Sequence, residues 1–243
     1  MLIGIGLLLV GLFVMIGGDS PFVIPNLDKH VKTHVVDDSQ KKIVLDLLKD
    51  ANSERKEVHK TNADYLKELE KLTVSREATQ EKFDDLAKRM DSFNREAQKG
   101  NLNVIHEVQK HILADEWKLI QTSIANDLEK SNKDRIKHIK KLEGAFDNWI
   151  DKINKTIVDD EKRKIAIQSV EELRTINVAN YKEIQTELLN KNSVAFKYKA
   201  NESELLQLQN EFLGLIEEVY DANTKTHFDL VKATTEEEWK KIQ

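Results

Sequence analysis

From Val44 onward, apolar residues recur in alternating steps of four and three along the chain. The ladder reads Val44, Leu48, Ala51, Val58, Tyr65, Leu69, Leu72, Phe83, Leu86, Met90, Phe93 and Ala97, with Arg55, Asn62, Arg76 and Thr79 at its polar rungs. Twelve of these sixteen positions are apolar or aromatic, and the phase never slips. A sustained seven-residue repeat, as opposed to a drifting 3.6-residue one, is the signature of a left-handed supercoil. It predicts one helix of about 60 residues, roughly 90 Å long. Asp38 and Ser39 are its expected caps, and Lys99-Gly100-Asn101 is its expected end.

A second stripe follows: Ile105, Val108, Ile112, Leu113, Trp117, Ile120, Ile124 and Leu128. The polar run Glu129 to Arg135 interrupts it, and it resumes from Ile136 to Ile157. With Asn101 or Asn103 as N-cap and a tight turn at Gly100, this helix is expected to fold back antiparallel on the first. Asp159-Asp160-Glu161 places acids where a helix dipole favours them, at the start of a third helix. Asn190 to Glu202 reads as a polar hinge, and Leu205, Leu208, Phe212, Leu215 and Val219 mark a fourth helix. Thr234/Thr235 with Glu237/Glu238 resemble a capping box opening a last turn with Trp239. No repeat of fixed period is evident by eye.

The opening of the chain has a different pattern. Leu2 to Ile16 is apolar except for glycines, and no Lys or Arg precedes Lys29. The segment lacks the basic start and small-residue cleavage pair of a secretory signal. Residues 1–18 therefore read as an uncleaved transmembrane or signal-anchor helix, short for a bilayer that takes about 20 residues to cross. Lys29 and Lys32 are too distant to retain the body strongly, so the expected location is an inner membrane with the body facing the periplasm or outside. Gly17 to Pro25 forms an exit linker, and Asn26 is the expected N-cap of a short helix reaching Val35 or Val36.

Both prolines, Pro21 and Pro25, fall in the first 25 residues, and only Gly100, Gly144 and Gly214 lie beyond them. Without proline to jam a helix interior, long helices are free to form. Fold class is therefore all-α: an elongated helical bundle of antiparallel coiled-coil hairpins behind an N-terminal membrane helix. The expected organisation is anchor 1–18, linker and short helix 19–37, long antiparallel hairpin 38–158, and C-terminal helical pair 159–243. The charged fraction of 33% with only 6% aromatics agrees with rods of helix more than with a thick core.

Charge and candidate chemistry then narrow the function. The 38 basic and 43 acidic residues are intermixed, so there is no basic field for nucleic acid. Zero cysteines exclude disulfides, thiolate metal sites and cysteine nucleophiles. His30 and His34 sit at i, i+4 beside Asp37 and Asp38, but a zinc site needs a third ligand, and the pair reads as solvated side chains near a membrane. His106, Glu107, His111, Asp115 and Glu116 form a second cluster without the Glu-x-x-His spacing of a di-iron bundle. Asp84-Asp85 and Asp159-Asp160 read as solvated faces or caps. No nucleophile elbow, phosphate loop or dinucleotide fingerprint is present. The reading is of a non-enzyme without cofactor or metal: a structural or interaction subunit, or spacer, of a bacterial cell-envelope assembly. The expected contacts, to a protein partner or a second copy, are Tyr65, Leu69, Leu72, Phe83, Leu86, Met90 and Phe93. Arg55, Asn62 and Arg76 are expected to set register. The alternative is a periplasmic helical chaperone or stress sensor that binds unfolded clients.

Overall fold

The structure, a computed structural model, describes residues 22–24, 26–184 and 193–243, with the backbone alone for 131–135. Seven α-helices are described: α1 Leu27–His34, α2 Asp38–Val74, α3 Gln80–Lys110, α4 Ala114–Thr156, α5 Asp160–Glu183, α6 Glu202–Ala233 and α7 Glu236–Ile242. A 3₁₀ turn, Val194–Phe196, lies between α5 and α6, and there is no strand among the described residues. The expected anchor, residues 1–18, lies outside the described residues. Within them, no helix is long and apolar enough to cross a membrane.

The predicted 60-residue helix is two helices. α2 stops at Val74, Ser75 is extended, and the Ala78 amide donates to the Ser75 carbonyl before α3 starts behind Thr79. Two of the sixteen ladder positions, Arg76 and Thr79, thus lie in a turn, and the heptad phase runs across the break. Gly100, the expected break, is inside α3. A helical glycine costs about 1 kcal/mol, too little to stop a helix that buries Gln98, Leu102 and Ile105 on either side of it. The real second break is His111 to Leu113, and neither Asn101 nor Asn103 caps anything. α4 then runs straight through the polar stretch expected to interrupt it.

The caps explain most of the other boundaries. Asp37 accepts from the Ser39 and Gln40 amides to open α2, and Asp159 accepts from Lys162 to open α5. Thr235 and Glu238 form the capping box of α7. Asn26, the expected cap of α1, is instead left-handed (φ 54°) and sends its amide to Asp127 Oδ2 at 3.2 Å.

Neighbouring helices run antiparallel throughout. Arg89–Glu68 and Arg55–Asn101 tie α3 to α2. The Tyr220 hydroxyl, 2.7 Å from the Phe83 carbonyl, and Arg95–Asn210 tie α6 to α3. Lys225–Glu172 and Asn180–Glu218 tie α6 to α5, and Arg174–Asp147 ties α5 to α4. The spatial order is α2, α3, α6, α5, α4, with α1 on α4 and α2, and α7 on α4. One apolar cluster joins α1, α2, α3, the first half of α4 and most of α6. A second joins the last part of α4, α5, the end of α6 and α7. Trp117, Phe83 and Phe212 are fully enclosed, and each side chain of that size contributes about 1.5–3 kcal/mol by leaving water.

Candidate interaction surface

The residues expected to meet a partner are mostly inside the chain's own bundle. Leu69, Phe83, Leu86 and Met90 are buried, and Tyr65, Leu72 and Phe93 are half-buried. Tyr65 and Phe93 meet edge to face across α2 and α3, at 5.7 Å between centroids. Phe83 stacks against His227 and Phe228 of α6. The seam read from the sequence is real, and α3 and α6 close it.

The polar rungs have separate fates. Arg55 donates to Asn52 and Asn101, and burial holds its guanidinium below its usual value. Asn62 is buried on the inner face of α2. Arg76, in the turn, reaches the far end of the chain and donates to Thr234 Oγ1 (2.9 Å), the Thr234 carbonyl and the Thr235 carbonyl (3.2 Å). It clasps the α2–α3 turn to the α6–α7 junction.

The histidine pair is not solvated. His30 is buried with Nε2 3.2 Å from Asp127 Oδ2, and His34 Nε2 lies 2.8 Å from Ser123 Oγ. Both imidazoles face α4, where packing of α1 puts them. Desolvation lowers the His30 pKa, and the neighbouring Asp127 carboxylate opposes it. In the second cluster, His111 bonds Gln40 at 2.8 Å and Glu107 pairs with Lys110, while His106 lines a shallow polar cavity with Lys199. No three His, Asp or Glu side chains among the described residues converge as a metal site would require.

Glu116 has a role that sequence reasoning missed. One carboxylate oxygen accepts from the Leu113 amide (3.0 Å), closing the start of α4; the other accepts from Val36 in the α1–α2 linker (2.7 Å). A glutamate three residues after an N-cap carried that signal. Its consequence is an apolar surface. Val36 and Leu113, held by one carboxylate, remain 82% and 70% exposed. Single exposed aliphatics are ordinary, whereas two side by side at one end of a bundle are the start of a contact patch.

The opposite end contains a buried polar group. His227 in α6 is enclosed by Phe83, Phe228 and Trp239, with ring centroids 4.9–5.5 Å away. Its Nδ1–H donates to the Thr73 carbonyl at 3.2 Å, which leaves Nε2 as a bare acceptor. Desolvation pushes the His227 pKa below the usual 6.5. Asn223, Thr73, Trp149 and Gln243 complete the lining of a cavity of about 10 Å³, room for one water and no substrate. The chain matches no protein-family model, and no curated protein or solved structure is significantly similar to it.

Proposed function

We propose that this chain is a structural and interaction protein, a subunit or spacer of a bacterial cell-envelope assembly, tethered to the membrane through residues 1–18. The observation that carries the reading is the Val36–Leu113 pair. It is apolar, outward, and fixed by Glu116, whereas the longer seams are consumed in holding the bundle together. Contact is therefore made by the end of the bundle where α1 meets α2 and α3 meets α4, and the antiparallel helices act as a rigid support.

The test is in-cell photocrosslinking of the full-length chain with the probe at Val36 or Leu113. A single stoichiometric protein partner is the expected product, and Val36→Lys with Leu113→Lys should abolish it without lowering the melting temperature. A scattered set of unfolded clients would favour the chaperone reading. An empty crosslink pattern from both positions would remove the proposal.

A further inference from the structure

The helix boundaries recur at a constant interval. α2 starts at Asp38 and α5 at Asp160; α3 starts at Gln80 and α6 at Glu202; α4 starts at Ala114 and α7 at Glu236. Each pair is separated by 122 residues. The linkers match as well: Val35 and Ile157 are buried, Val36 and Val158 are the two most exposed large aliphatics, and Asp37 and Asp159 are the caps. α1 corresponds to the last two turns of α4, where buried Leu27 and Val31 match buried Trp149 and Ile153. Aligned without a gap, residues 35–121 and 157–243 share 17 identities in 87 positions. Five of these fall in the last nine, as Glu-Trp-Lys-x-Ile-Gln at Glu116–Gln121 and at Glu238–Gln243. The repeat missed by eye is thus present, with its identity concentrated at the end of each copy.

The hydrogen bonds repeat with the same interval. Glu116 accepts from Leu113 and Val36, and Glu238 accepts from Thr235 (2.8 Å) and Val158 (3.1 Å). The next pairs cross between copies. Trp117 Nε1 and Gln121 Nε2 donate to the Phe196 carbonyl of the second copy, while Trp239 Nε1 and Gln243 Nε2 donate to the Val74 carbonyl of the first. Phe196 and Val74 are themselves 122 apart. So are Tyr198 and Arg76, and the residues they reach: Tyr198 donates to the Ile112 carbonyl, and Arg76 to the Thr234 carbonyl. Antiparallel packing of α3 on α6, two equivalent helices, is what a two-fold axis between the copies generates. Phe83–Tyr220 and Arg95–Asn210 place that axis near Met90 and Phe212.

We propose that the chain is one helical unit of 122 residues used twice, and that its two ends are the same recognition slot. Each slot is the tip of one copy's long hairpin, and its ligand is the Glu-Trp-Lys-x-Ile-Gln helix of the other copy. The chemistry accounts for the motif. The last carbonyls of a helix have no partner within it, and Val74 ends α2 as Phe196 ends the 3₁₀ turn. Trp and Gln, four residues apart on one helical face, supply two donors to that one oxygen, and the Ile between them is buried. The Glu ties the helix to its own copy's linker, so each terminal helix bridges its own copy and the other. The slots have diverged in polarity. The Trp239 slot holds Thr73, Trp149 and His227 where the Trp117 slot has Ala195, Leu27 and Ile105.

The test uses the full chain and exchanges the ligands. Thr235→Leu, Glu236→Ala, Glu237→Asp and Lys241→Leu convert the second ligand into the first, and the four reverse changes at 113, 114, 115 and 119 convert the first into the second. Both exchanged chains should melt within about 4 °C of the parent, whereas Trp117→Ala or Trp239→Ala should lower the midpoint by roughly 10 °C. A second measurement exploits the absence of cysteine. Gln121→Cys with Lys197→Cys, and Gln243→Cys with Ser75→Cys, should each be joined by a short bifunctional maleimide at monomer mass. Exchanged chains that unfold as readily as the tryptophan variants, or crosslinks that join two chains, would overturn the proposal.

Discussion

His227 occupies a position where the matching residue of the other copy is Ile105, and that difference makes the protein sensitive to acid. Burial lowers the His227 pKa, as it does for His30. Each imidazole is neutral when folded and takes up a proton on unfolding once the pH falls below about 6.5. Stability is therefore full above that value and declines as the pH drops from it towards the lower native value. Each such group steepens the loss by up to about 1.4 kcal/mol per pH unit. His227→Ile should flatten the acid limb of a melting-temperature profile between pH 5 and 7, and His227→Gln should flatten it without restoring packing. An unchanged profile in both would show that other groups set the acid limb. Arg76 gives a second test at this scale. Read as a polar rung of a supercoil, it predicts that Arg76→Leu stabilises. Its three hydrogen bonds to Thr234 and Thr235 predict the reverse, a loss of about 1.5–3 kcal/mol in urea unfolding.

Helices were legible because proline is absent past Pro25 and apolar spacing is regular, but their ends were only partly so. Where an acid or hydroxyl caps, as at Asp37, Asp159 and Thr235, the boundary follows from side-chain chemistry that local sequence displays. The Ser75–Thr79 turn has no glycine or proline, and its residues continue the heptad phase. The helix ends there because the chain can bury Phe83 and Leu86 by folding back, a gain that only tertiary contacts supply. Gly100 misled in the opposite sense. A Cβ built on it meets nothing within 4 Å and its backbone is helical, so Gly100→Ala should stabilise by about 0.5–1 kcal/mol. A turn at that position would instead make the substitution destabilising, and a thermal melt separates the two.

Across the whole molecule, the candidate contact seam and the fold's own core turned out to be one set of residues. An apolar ladder records that a face is covered without recording by what, and here Leu69, Phe83, Leu86 and Met90 are covered from within the chain. The free surface, Val36 beside Leu113, consists of two residues 77 positions apart that no local pattern joins. The same distance hid the duplicated unit, since its copies retain helix lengths and a closing motif while most side chains differ. What the sequence by itself determined was local: helix as the only regular structure, several capped starts, the mixed charge of the surface, and the greasy face of each rod. Those properties depend on neighbours within a turn or two. Which rod covers which face, where α2 turns, and the crossing of the two tryptophan helices were decided by the tertiary structure. Apolar burial is non-directional, and only the chain closing on itself selects one set of partners among many of equal hydrophobicity.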